Sequence, residues 1–152
     1  MDGHTELAAR LGRNLLAQQA QACTAESCTG GGIAEAITRV AGSSAWFEAG
    51  YVNYSNRQKT RQLGVAEGLF AEVGAVSREV VEAMVRGACQ HSGARFGVAV
   101  SGIAGVAAGS VIAWTPSDGA RPMVGVPRPR YHPRSMPTVR TAPATSVAAG
   151  AA

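Results

Sequence analysis

The chain has 152 residues, of which 46% are hydrophobic and only 5% aromatic, a length that suits one domain with a buried core needing no disulfide or metal staple. No run of about 18 apolar residues occurs, so no membrane-spanning helix is expected, and the first residues lack the basic and apolar blocks of a secretory signal. The formal net charge is +4, but residues 1–114 carry nine basic and nine acidic side chains, so the pI near 9.4 belongs to the remainder and gives the body no basic nucleic-acid face.

Residues 4–20 place Leu7, Leu11, Leu15 and Leu16 at helical spacing with polar residues between them, which predicts an amphipathic helix. The small, β-prone run at 21–27 predicts a buried strand, and 29–40 a second helix with glycines in its first turn. Residues 48–55, "EAGYVNYS", predict a strand, followed by a short helix that Gly64 stops. Ser77 is a suitable N-cap for a helix ending at Gly93, with Val81, Met84, Val85 and Ala88 as its apolar stripe. Residues 95–102 predict a strand running into another small-residue turn, and 110–114 one more strand. Strands alternating with helices imply an α/β layered fold.

All seven prolines lie in residues 115–152, with five arginines and one aspartate. That composition predicts a two-part chain: a folded domain over 1–114 and an irregular Pro/Arg-rich tail over 115–152.

Two predicted strands end in small-residue turns, "SCTGGG" and "SGIAG", and ligands in open α/β folds sit beyond such strand ends. At the first turn the N–H groups of Thr29 to Gly32 are expected to be unpaired and able to bind a phosphate or a developing oxyanion. The stretch is neither a Walker A loop, a Gly-x-Gly-x-x-Gly fingerprint nor a Gly-x-Ser-x-Gly elbow, so a plain capping serine on a glycine-softened helix is the competing reading. As a nucleophile, Ser27 requires a base. His4, His91 and His132 are poorly placed, whereas Lys59 is the single lysine of the chain, with Tyr54 five residues before it. Lys59 reads as a Ser-Lys type base or as a solvated helix lysine. Cys28 reads as a structural thiol, and Cys23, Cys28 and Cys89, with no CxxC pair and no zinc spacing, as reduced cysteines of a cytoplasmic protein.

The segments "AESCTGG", "GSSAWFEAGYVNYSNRQK", "LGV", "GAVS" and "VAVSGIAG" occur in order over residues 5–105. In them the chain resembles the CinA C-terminal domain family, whose standalone members are nicotinamide-nucleotide amidases. The resemblance implies a three-layer α/β/α sandwich with a mixed sheet, and hydrolysis of nicotinamide mononucleotide to nicotinate mononucleotide and ammonia without metal or cofactor. It assigns Ser27 as nucleophile, Lys59 as general base and Tyr54 as the residue that relays a proton or holds the serine. Thr29, Gly30, Gly31, Ser101 and Gly102 would bind substrate, with Arg140 facing the phosphate. A small nucleotide is the implied partner, with no membrane and no nucleic acid.

After Gly105 the family's proline, glycine run and Lys-Pro-Val-Gly turn are replaced by "VAAGSVIAW", and its closing helix by a proline-broken stretch. An uncovered sheet face and self-association into a homo-oligomer are therefore expected. Two rivals to the enzyme stand beside it: a catalytically impaired remnant that binds nucleotide or a protein partner, and a nucleic-acid accessory acting through the arginine-rich tail.

Overall fold

The computed structural model describes residues 2–103 with their side chains, and the backbone of 111–116 and 123–125. Its elements in chain order are α1 (Gly3–Ala17), β1 (Ala22–Glu26), α2 (Gly32–Thr38), β2 (Phe47–Val52), α3 (Asn56–Leu63), α4 (Glu67–Val73), α5 (Arg78–Ser92), β3 (Phe96–Ser101), β4 (Val111–Pro116) and β5 (Met123–Gly125). A short 3₁₀ turn at Ser43–Ala45 precedes β2.

The strands form one sheet in the order β2-β1-β3-β4-β5. β1 pairs in parallel with β2 and with β3, while β4 runs antiparallel to both β3 and β5. The sheet is therefore mixed, as expected. The connection from β1 to β2 passes through α2 on one face. The connection from β2 back past β1 to β3 passes through α3, α4 and α5 on the other. The carboxyl ends of the three parallel strands thus meet at a topological switch point, where open α/β sheets bind ligands.

Each face has its own core. On one, Ala8 and Leu15 of α1 and Ile37 of α2 pack with Trp46, Ala22 and Phe96. On the other, Val80, Val81, Met84, Val85 and Ala88 of α5 are fully buried against Cys23, Ala25 and Ala99 of the sheet. The predicted stripe of α5 is that buried face, and Ser77 caps the helix by accepting from the Val80 N–H. Cys23 and Cys89 meet as free thiols in this core, their Sγ atoms 3.8 Å apart.

Gly87 marks where α5 crosses the end of α3: a Cβ there would lie 1.9 Å from the Leu63 carbonyl oxygen. Only a glycine lets the two helices approach so closely.

The sequence reading misses α4, where Gly68 weakens the helical signal, and β5. β5 lies within the segment 115–152, which the composition predicts to be largely irregular. Its three residues fall between Pro122 and Pro127, so their backbone keeps the N–H groups that pairing with β4 requires. β4 runs through the expected boundary at 114 to Pro116, and the remainder of that expectation, Arg140 included, lies outside the described residues.

Candidate active site

Side chains alternate between the two faces of a strand, and this parity builds the site. On β1, Ala22 belongs to the α1/α2 core, and Cys23 and Ala25 to the α5 core. Glu26 faces α2, where its carboxylate accepts from the Ile33 and Ala34 N–H groups. Ser27 donates its N–H to the Val100 carbonyl at 3.0 Å, so the β1–β3 ladder extends through it and its side chain faces the α3–α5 layer. The register pairs Glu26 with both Val100 and Val52, which sets Ser27 beside Ser101 on one side and Asn53 on the other. Ala99 and Tyr51 pack against the α5 core two residues earlier on those strands, so Ser101 and Asn53 share the face of Ser27. The three form a row across adjacent strand ends, at strand spacings of about 4.8 Å. Ser27, Ser101 and Asn53 are 4%, 0% and 1% exposed.

Lys59 reaches this row from α3. Ser55 caps that helix by accepting from the Gln58 N–H, and Gly64 closes it in the left-handed conformation. Lys59 and Leu63, four residues apart, are its inward face, and both are buried. The Lys59 Nζ donates to the Ser101 Oγ at 3.2 Å, and the Ser101 hydroxyl donates onward to the Ala75 carbonyl at 2.9 Å. Among the described residues no carboxylate pairs with Lys59. Burial therefore holds its pKa below the ordinary lysine range, offset in part by its electrostatic interaction with the nearby Cys28. A buried amine with a lowered pKa, beside a serine on the neighbouring strand end, can accept a hydroxyl proton.

The turn after Ser27 differs from the expectation of a row of open N–H groups. Gly30 donates to the Ser27 carbonyl and Gly32 to the Thr29 carbonyl. Ile33 and Ala34, in the first turn of α2, donate to Glu26, which also accepts from the Thr29 hydroxyl at 2.6 Å. The group at this helix start is the protein's own carboxylate, and of the four N–H groups from Thr29 to Gly32 those of Gly30 and Gly32 are used within the turn. Gly30 and Gly31, with φ of +59° and +99°, are needed for the turn itself.

Of the residues singled out from sequence, Ser27, Lys59 and Ser101 come together, with Gly102 half-buried next to Ser101. Thr29, Gly30 and Gly31 follow directly but serve the α2 side. Tyr54 follows the buried Asn53 directly and stands 69% exposed. Glu26 and Asn53 were not singled out. A carboxylate three residues before Thr29 at a strand-to-helix turn was the available sign of the first.

A cavity of about 890 Å³ lies on the opposite face between α1, α2 and β3. Leu7, Leu11, Ile33, Phe96 and Val98 make it mainly apolar. It contains none of Ser27, Asn53, Lys59 or Ser101, and its lining suits an apolar cover better than a nucleotide.

A family model described as the CinA C-terminal domain matches residues 4–112. The chain belongs to the CinA C-terminal domain family. Within it, the chain is 74% identical over 110 residues to the nicotinamide-nucleotide amidohydrolase PncC of Pseudomonas putida, covering 72% of this chain and 69% of that protein. It is 50% identical over 105 residues to the protein of the same name from Escherichia coli K12, covering 69% of this chain and 64% of that one. The match thus spans about two thirds of these relatives' length. Among solved CinA structures, the competence/damage inducible protein CihA of Agrobacterium tumefaciens superposes with a TM-score of 0.76 at 35% identity, covering 82% of this chain and 80% of that one. A CinA superfamily protein of Klebsiella pneumoniae gives a TM-score of 0.76 at 29% identity, covering 82% and 81%.

Proposed function

We propose that this chain is an amidohydrolase that removes ammonia from the carboxamide of a nicotinamide nucleotide, with Ser27 as nucleophile and Lys59 as base. One observation carries the chemistry: a buried lysine, unpaired with any described carboxylate, is held by Ser101 on the strand end adjoining Ser27. The names of the amidohydrolase relatives supply the substrate class.

In this reading the neutral Lys59 amine takes the Ser27 hydroxyl proton as Oγ attacks the carboxamide carbon. The tetrahedral intermediate collapses with the C–N bond breaking, and Lys59 returns the proton to the departing nitrogen, which leaves as ammonia. Water then attacks the Ser27 ester, again losing a proton to Lys59, and the acid departs as Ser27 is restored. Nicotinamide mononucleotide and water give nicotinate mononucleotide and ammonia. Ser101 orients the amine, because its own hydroxyl proton is committed to Ala75 and its lone pairs are left facing Nζ. Exposed Tyr54 is assigned to the substrate at the rim of the site, outside the proton relay. Arg140 as the phosphate contact rests on the family resemblance.

The test is a coupled assay for ammonia released from nicotinamide mononucleotide by the purified chain. Release is expected from the wild type and from Cys28→Ala, and none from Ser27→Ala with its fold intact. A wild type that releases no ammonia would overturn the reading in favour of a non-catalytic nucleotide binder.

A further inference from the structure

Asn53 is 1% exposed, yet among the described residues neither its Nδ2 nor its Oδ1 has a hydrogen-bond partner. Buried polar groups in folded proteins are paired as a rule, and an orphaned one marks a cost the fold has accepted for some other reason. Asparagine at a strand end ordinarily caps a neighbouring turn or helix through its side chain. Here Ser55 caps α3 instead, and the Asn53 N–H is used by the Glu26 carbonyl at 2.9 Å. The amide thus keeps one donor group and one acceptor unused among the described residues, on the strand face that Ser27 shares.

We infer that Asn53 is the residue that recognises the substrate's primary carboxamide, an inference that rests on the amidohydrolase reading above. A primary carboxamide is the complement of an asparagine amide. The Nδ2–H group donates to the substrate carbonyl oxygen, and Oδ1 accepts from the substrate NH₂. Either orientation of the Asn53 amide presents the same pair of functions.

The spacing suits it. Asn53 and Ser27 stand on neighbouring strand ends about 4.8 Å apart. A strand spacing is short enough for one carboxamide to touch both side chains at once. The pairing also separates substrate from product. A carboxylate product has no N–H to offer, so Oδ1 would face a negative oxygen, and the acid is bound less well than the amide.

The test uses the full chain in a Ser27→Ala background, where substrate is not consumed. Calorimetry would measure binding of nicotinamide mononucleotide and of nicotinate mononucleotide to Ser27→Ala and to Ser27→Ala/Asn53→Ala. Loss of Asn53 should weaken amide binding roughly 10- to 100-fold, the scale of one or two hydrogen bonds, and acid binding by less than about threefold. Asn53→Ala should be at least as stable as the wild type in urea, since it removes an unpaired buried amide. Equal weakening for amide and acid, or none for either, would overturn the inference, as would loss of stability that accounts for the loss of binding. The outcomes remain separable from those of the parent reading. Ammonia release by a wild type whose amide preference ignores Asn53 defeats this inference alone. Asn53-dependent amide binding by a chain that releases no ammonia defeats only the catalytic reading.

Discussion

Replacing Glu26 with glutamine should destabilise the whole domain, and the size of the effect can be worked from three contacts. The carboxylate accepts from the Thr29 hydroxyl at 2.6 Å and the Ile33 N–H at 2.9 Å through Oε2, and from the Ala34 N–H at 2.8 Å through Oε1. A glutamine keeps the shape but has one acceptor oxygen. Placed at the Oε2 position, that oxygen retains two bonds, each reduced from charge-assisted to neutral at about 1 kcal/mol. The new NH₂ then opposes the Ala34 N–H, which loses its partner at a further cost of about 1–3 kcal/mol. The favourable interaction of a negative charge with the α2 start also goes, worth about 0.3–1 kcal/mol. Relief from burying a charge acts in the other direction, since Glu26 is fully buried. The balance is a loss of about 2–4 kcal/mol, a large share of the 5–15 kcal/mol that holds a typical domain together. Urea unfolding of Glu26→Gln beside the wild type would read this as a lower midpoint at unchanged slope. Equal or greater stability of the variant would refute the reasoning, because burial of the charge would then outweigh the cap.

Lys59→Arg retains a cation that cannot give up its proton, so ammonia release should fall by about 10² or more; near-normal turnover would remove Lys59 from the base role. The pH profile of kcat/KM should rise along a limb below the ordinary lysine range, since burial lowers the Lys59 pKa and the neutral amine is the active form. The same shift makes the folded chain bind fewer protons than the unfolded one between the two pKa values. Stability should therefore rise with pH across that window, and a Lys59→Met variant should lose this rise in urea titrations. Gly87→Ala must push its Cβ against the Leu63 backbone, for about 1–3 kcal/mol of destabilisation. Because Leu63 and Lys59 share one face of α3, kcat should fall in the fraction that remains folded, which active-site titration with an acylating amide analogue would show.

The parts of this fold that could be read from sequence are those with a long, regular signal. The helix that carries the α5 stripe runs for about four turns and is bounded by Ser77 and Gly93, each of which acts only on its own neighbours. Ser27 and Lys59 were legible because a motif and a solitary lysine draw attention without any structure. Asn53 was not, since "YVNYSN" reads as a strand running into a turn, where asparagine is ordinary. Its inward position follows from the pairing of β2 with β1, a fact that no single segment contains. Glu26 was missed for the same reason: its partners lie seven and eight residues away, across a glycine turn whose course local sequence does not specify. Tyr54 shows the converse, a residue assigned by motif whose side chain stands exposed at the surface.

Glu26 and Ser27 are consecutive, and the sheet divides them between its two sides. An acid and an amine are thereby kept within one strand's thickness of each other without being allowed to meet. Slippage of β1 by a single residue would reverse this and turn the Glu26 carboxylate toward Lys59. The two would form an ion pair, which favours the charged form of the amine, and the α2 start would be left facing a serine. The alignment of one five-residue strand thus acts as an electrical partition. A one-residue insertion or deletion in β1 would extinguish the base more thoroughly than most substitutions at the base itself, while leaving every residue that the chemistry names still present in the chain.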